Sequence, residues 1–321
     1  MKKAFFASPG PKTMKESLSL FLKGLCMGGA DIIPGVSGGT IALITGIYEK
    51  LLAAIKSVDI NFFKKLLSFK IKDALATVHI RFLIVLFSGI AVAIISLARL
   101  MNFLLKTHPE PTFSLFIGLI AASTYVIGKK VKWKLSTIIS VIFGAVLAYR
   151  VVGLIPVNTP NELWFIFLSG VIGICAMILP GLSGAFILLI LGKYEYITGT
   201  LKAPFSVNEI SGDHNLLIVL VFCIGCAIGL AGFSRFLNWL LSKWHNLTLA
   251  FLTGLMAGSM RKIWPWKGES VIKIIRGKEH VITQENILPQ SFDISLMISI
   301  ALIVVGIVLI LVLDKKSRKQ T

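Results

Sequence analysis

Two short runs in this chain have residue types able to do chemistry, and they are nearly the same run. Pro34-Gly35-Val36-Ser37-Gly38-Gly39 recurs as Pro180-Gly181-Leu182-Ser183-Gly184-Ala185, each embedded in apolar sequence. The offset of 146 (180 − 34) continues through Gly46/Gly192, Tyr48/Tyr194 and Glu49/Glu195, so 10 of the 16 positions from Pro34 to Glu49 are identical. Proline followed by glycine breaks a helix. A serine just past the break stands where a hydroxyl caps the first free amides of the next helix. Gly38, Gly39 and Gly184 leave those amides uncovered. Each tip is then a helix N-terminus carrying about half a positive charge, an arrangement that receives anions. Ser37, Gly38, Gly39, Thr40, Ser183 and Gly184 are the expected phosphate ligands, with Pro34, Gly35, Pro180 and Gly181 as the breaks. The plainer alternative is that the glycines only allow close packing and the serines only cap.

Charged residues inside the apolar stretches are the next candidates. Arg99 and Arg235 match at an offset of 136 (235 − 99), followed three positions later by Asn102 and Asn238. An intramembrane arginine costs about 2.5 to 3.5 kcal/mol on insertion scales and so seeks a partner. A phosphate suits its planar fork, and snorkelling to the interface or pairing with a carboxylate are the alternatives. Asp31 has Met177 as its repeat mate. Three residues before the first break, its carboxylate is able to pair with an arginine, carry a coupling proton, help hold a cation such as sodium, or accept a hydrogen bond from its own hairpin. Tyr48 and Tyr194 are expected to anchor helix ends at the membrane interface. No metal or organic cofactor is indicated.

The elements that must position these residues are membrane helices. The chain is 55% hydrophobic and 15% charged, with mean hydropathy +0.85, too apolar for the surface of a soluble globule. Its net charge of +18 sits in short runs between apolar stretches, as at Lys129–Lys134 and Lys315–Lys319. That pattern belongs to membrane topology and not to a nucleic-acid partner. The four cysteines, at 26, 175, 223 and 226, lie in apolar segments and read as small packing residues. The N-terminus has too short an apolar core for a cleaved signal peptide and is expected to stay.

Ten apolar stretches run from Leu18–Ile33 and Val36–Ile55 through to Leu247–Met260 and Ile294–Leu313. Ten make two sets of five. The pair flanking each break is short for two independent spans and exposes backbone that lipid cannot satisfy, so each pair is read as a re-entrant hairpin. The expected fold is an all-α polytopic membrane protein of two inverted repeats, residues 1–158 and 159–321, each a hairpin plus about three transmembrane helices. An odd number of crossings per half inverts one half against the other and brings the two tips together near the bilayer midplane. With both termini inside, most basic runs fall inside. Arg261–Gln290 dissents, because it falls outside with six basic residues.

The run Gly29–Thr40, with Gly46-Ile47-Tyr48-Glu49 after it and Leu179–Gly184 in the second half, resembles a bacterial and archaeal membrane family. That family was catalogued as domain of unknown function 368 and is associated with PopT-type polyprenyl-phosphate translocation. The resemblance covers essentially the whole chain and rests on Asp31, Pro34, Gly35, Ser37, Gly38, Gly39 and Thr40, with Pro180, Gly181, Ser183 and Gly184 in the second copy. It implies recycling of undecaprenyl phosphate from the outer to the cytoplasmic leaflet of the bacterial cytoplasmic membrane, with membrane lipids as surroundings. Ala185-Phe186 replaces Gly39-Thr40 in the second copy, so equal roles for the tips do not follow.

Two rivals remain at this stage. An ion-coupled transporter of a small anion fits the tips equally well. A rhomboid-like intramembrane serine protease fits the Gly-x-Ser-Gly pattern, yet needs a base, and the five histidines all lie in loops or at segment ends. A lipid phosphatase would want a histidine where Leu241 stands.

Overall fold

The computed structural model of the chain describes residues 8–32, 37–157, 159–202, 214–275, 278–289 and 292–318. Helix α1 (Met14–Asp31) starts at Thr13, whose hydroxyl accepts from the Glu16 amide. Then come α2 (Gly38–Ile44), α3 (Tyr48–Lys56), α4 (Ile60–Leu67) and α5 (Ile71–Thr77). The long α6 (Ile80–Thr107) follows, with α7 (Pro109–Gly128) and α8 (Leu135–Val151) after it. The second half comprises α9 (Leu163–Ile178), α10 (Gly184–Ile190), α11 (Tyr194–Lys202), α12 (Asn215–Lys243), α13 (His245–Ser259) and α14 (Ile294–Arg318). Strands β1 (Lys267–Ile275) and β2 (Lys278–Asn286) form an antiparallel ribbon between α13 and α14.

The chain is an all-helical polytopic membrane protein with that ribbon added. Among the described residues four helices are long and apolar enough to cross a membrane: Ile80–Leu97 within α6, α7, α12 and Ile294–Val312 within α14. Exposed Ile95, Ile139, Ile228 and Val308 form the outer apolar surface, as lipid contact requires. The 17-residue α8 and 15-residue α13 are shorter than the expected spans. About 1.5 Å of rise per residue gives them roughly 25 and 22 Å.

The expected second limb of each hairpin is not one helix. Val36–Ile55 divides into α2 and α3, bent by 116° at residues 45–47. Gly46 has φ +70° and Gly192, at the matching bend between α10 and α11, has φ +63°. Both are left-handed conformations that glycine adopts without strain. The loop before Phe82 also contains two short helices, α4 and α5, that have no counterpart among the described residues of the second half.

Packing follows the aligned repeats. α1 lies on α6 as α9 lies on α12, and α7 lies on α14 as α13 lies on α8. Each crossing is closed by glycines on both helices. A methyl at Gly24 would strike the Leu86 carbonyl and one at Gly89 the Phe21 carbonyl; in the second half Gly170 meets Phe222 and Gly225 meets Phe167. Gly118 and Gly306 do the same for α7 and α14, as do Gly144 and Gly254 for α8 and α13. Without side chains between them the backbones touch, and dispersion replaces the hydrophobic drive that lipid does not supply. Cys226 Sγ donates to the Gly170 carbonyl at 3.5 Å, so that cysteine is a packing residue.

Gly225→Val should therefore force α9 from α12 and lower stability by about 1 to 3 kcal/mol. Gly232→Ala on the same helix, where a methyl meets nothing within 4 Å, should leave it unchanged. Thermal aggregation of the two variants in detergent measures the difference; equal shifts would show that the crossing glycines are not what matters.

Candidate functional site

The first tip is closed by its own residues. α1 ends at Asp31, and Pro34 and Gly35, the expected first break, lie outside the described residues. Ser37 is extended (φ −130°, ψ 135°) and caps α2. Its Oγ accepts from the Gly39 amide at 3.1 Å, and the Thr40 amide donates to the Ser37 carbonyl at 2.9 Å. The Gly38 amide donates to Asp31 Oδ1 at 2.6 Å. All three leading amides of α2 are taken, and Ser37 and Thr40 are each 1% exposed. Of the four roles open to Asp31, the hydrogen bond to its own hairpin is the one present.

Residues of the first half also complete the second break. α9 stops at Ile178, leaving terminal carbonyls with no intrahelical partner. Ser37 Oγ lies 3.4 Å from the Met177 carbonyl and 3.3 Å from that of Leu179, while Tyr48 Oη donates to Ile178 at 3.1 Å. Beyond Pro180, Gly181 turns with φ +88°, and its amide donates to Thr40 Oγ1 at 3.0 Å. A methyl at Gly39 would lie 2.7 Å from the Ile178 carbonyl, so the tips meet backbone to backbone.

The second tip is open. Ser183 caps α10 by accepting from the Phe186 amide at 3.4 Å. The amides of Gly184 and Ala185 make no hydrogen bond among the described residues, and Ala185 is exposed. Two unspent donors at this tip face three spent ones at the other.

Neither arginine is bonded to a tip residue among the described residues. Arg99 is exposed on α6 and makes no pair among the described residues. Arg235, half-buried on α12, donates to the Ala231 carbonyl at 2.8 Å. Its charge also reaches Asp59, whose carboxyl is held below the usual range first by the Phe62 amide and in smaller part by Arg235.

Two residues gained their positions from contacts far apart in sequence. Tyr48, expected at the interface, is 2% exposed and bonded at the second tip, whereas its mate Tyr194 is 41% exposed. Lys262, counted above only as part of the dissenting basic segment, has Nζ 4.5 Å from the centre of the Phe186 ring. It makes no ion pair among the described residues. Its basic neighbours are spent on neutral oxygens: Arg261 donates to the Tyr149 carbonyl at 3.0 Å, and Lys267 to the Arg261 carbonyl at 3.4 Å and to Asn286 Oδ1 at 2.6 Å. Burial, then the charges of Lys262 and Arg261, push the Lys267 amine down to about 8. The excess of basic residues in residues 261–290 was the signal, and it marked a cation beside Phe186 of the second tip.

No histidine is bonded to Ser37 or Ser183 among the described residues. Apolar helices long enough to span a membrane, converging on facing helix breaks with polar donors, are the features of a membrane transporter. The chain belongs to the VCA0040-like, undecaprenyl phosphate translocase-like family, which it matches over residues 27–281. It is 40% identical over 316 residues to a polyprenyl-phosphate transporter of Vibrio cholerae serotype O1, covering 96% of this chain and 99% of that one. A polyprenyl-phosphate transporter of Staphylococcus aureus is 29% identical over 258 residues, 76% of this chain and 85% of its own. No solved structure matches the chain.

If the hydroxyls of one half hold the break of the other, Tyr48→Phe and Thr40→Val should each lower thermal stability, by about 1 to 3 kcal/mol for a buried backbone group left unpaired. Tyr194→Phe, on an exposed side chain, should not. Equal melting of all three variants would remove the cross-bonds from the account.

Proposed function

We propose that this protein carries undecaprenyl phosphate, or a closely related polyprenyl phosphate, from the outer to the cytoplasmic leaflet of the bacterial cytoplasmic membrane, with both chain termini on the cytoplasmic side. The phosphate headgroup is expensive in hydrocarbon while the polyprenyl tail is at home there, so the protein shelters the headgroup and leaves the tail in lipid. The names of its relatives support the substrate class. The observation that carries the site is the pair of unspent amides at Gly184 and Ala185, with Lys262 against the neighbouring Phe186. Donors held ready in a low-dielectric setting are what a phosphate dianion needs.

The first tip is the same site in its closed form. The carboxylate of Asp31 occupies the Gly38 amide as a phosphate oxygen would, and Ser37, Gly39 and Thr40 complete the cradle. Opening it requires Asp31 to let go. A proton or a sodium ion taken by Asp31 weakens its hold on the amide and ties headgroup exchange to an ion gradient. The recurrence of helix pairings and glycine crossings supports residues 1–158 and 159–321 as inverted repeats, whose rocking exposes the tips alternately. Arg99 and Arg235, not bonded to the tips among the described residues, serve the headgroup as it approaches from the lipid side.

Vesicles loaded with the purified protein test this. Ala185→Glu places an anion beside the open amides at an exposed position, and translocation of a polyprenyl phosphate should fall at least about tenfold, the loss of one charge-assisted contact. Unchanged translocation would place the headgroup elsewhere, and equal transport of phosphate without a tail would make the substrate a small anion. Asp31→Asn keeps an acceptor for Gly38 but does not ionise. It should abolish gradient-driven accumulation while downhill exchange persists, and a wild-type response to a proton or sodium gradient would end the coupling role.

A further inference from the structure

On the N-terminal side of the molecule, away from both tips, a cavity of about 680 Å³ lies between α1, α3 and the start of α6, walled on one side by residues 9–11. Its cations are Lys15 and Lys23 of α1 and Lys50 of α3, with His79 at the head of α6. The carboxylate in its lining, Glu16, accepts from the Lys12 amide at 2.7 Å and keeps its negative charge, which offsets one of the three lysines. Lys23 donates one proton to the Thr45 carbonyl at 3.0 Å, leaving two for a ligand. Lys15 and Lys50 are exposed and make no ion pair among the described residues. His79 Nδ1 is buried without a hydrogen-bond partner among the described residues. Capping the end of α2 accounts for Lys23 alone, and leaves Lys15, Lys50 and the orphaned imidazole nitrogen unexplained.

The position is as telling as the charge. Thr45 caps the far end of the seven-residue α2, whose near end is the first tip, so the cavity lies about 10 Å along from it. At the aligned positions the second half has Ser169, Tyr196 and Asn215 in place of Lys23, Lys50 and His79. The feature therefore belongs to one side of the membrane and not to the scaffold that the two halves share. Leu20, Ile47 and Phe82 line the rest of the cavity, apolar surface suited to the first isoprene units behind a phosphate.

We propose that this cavity is a second phosphate-monoester site, which receives the lipid headgroup as it leaves the tips on the side of the N-terminus. The proposal rests on the transport reading above and adds a station to it. Three lysines against one carboxylate leave two positive charges, the complement of a phosphate dianion, and Lys23 links the site to the tip through α2.

Binding to the full-length protein in lipid nanodiscs tests it, with a short-chain polyprenyl phosphate and inorganic phosphate as probes. On the Ala185→Glu background the open tip is blocked, and one lipid-phosphate site should remain, with inorganic phosphate competing for it. Adding Lys23→Gln and Lys50→Gln should weaken that site about a hundredfold, about tenfold or 1.4 kcal/mol per lysine. Lys23→Arg with Lys50→Arg should retain it. Should the double variant not fold, Lys50→Gln alone, at an exposed position, should give the tenfold loss. Wild-type affinity in the glutamine variants would overturn the site, as would binding of inorganic phosphate with no binding of the lipid. The tip reading fails separately, through undiminished translocation by Ala185→Glu.

Discussion

A helix that stops inside hydrocarbon leaves carbonyls and amides that lipid cannot satisfy. The centre of this protein is organised by how those groups are met. The last carbonyls of α9, at residues 177–179, are met by hydroxyls of Ser37 and Tyr48, and the Gly181 amide by Thr40. The second break is not complete alone. It depends on the first for its hydroxyl donors and one acceptor, so it is completed only when the halves are docked.

Docking at backbone distance needs a scaffold that brings main chains together elsewhere too. Reciprocal glycines supply it at four helix crossings, with the same residues answering one another in both halves. The left-handed turn at Gly46 then serves the tip directly: by bending the chain 116° it sends α3 back so that Tyr48, its first residue, reaches Ile178. The matching bend at Gly192 delivers Tyr194 to an exposed position. One backbone device, used twice, yields a structural hydroxyl in one half only.

That difference marks the boundary of what sequence makes legible. The repeated break, the capping serines and the helical, lipid-facing class all follow from residue types and local spacing, because capping and hydrophobic patterning are short-range effects. The contact of Asp31 with Gly38 spans seven residues and stood among the alternatives the sequence left open. Tyr48 and Lys262 were not legible, since their partners lie 130 and 76 positions away, at Ile178 and Phe186. Repeat logic misled for Tyr48 by assigning it the surroundings of Tyr194. The bend at Gly46 was hidden because an apolar run reads the same whether or not it turns. The ribbon after α13 carries a hairpin in a segment that charge counting treated as topology alone.

The asymmetry between the tips bears on how a headgroup crosses. A tip with bare amides in hydrocarbon is costly, and one already holding an anion is not. On the proposed transport reading, the first tip carries Asp31 in cis, so on losing a phosphate it would exchange one anion for another and keep its Gly38 hydrogen bond. The second tip, with Met177 in place of the carboxylate, has no such substitute and keeps Gly184 and Ala185 unspent. On that reading a phosphate gains more by entering the second tip than the first, where it must displace a resident. A carrier with two equal tips would hold its cargo equally on either side of the midplane. In the proposed carrier, unequal tips make one the acceptor and the other the releaser, and Asp31 contributes to that inequality by taking the Gly38 amide.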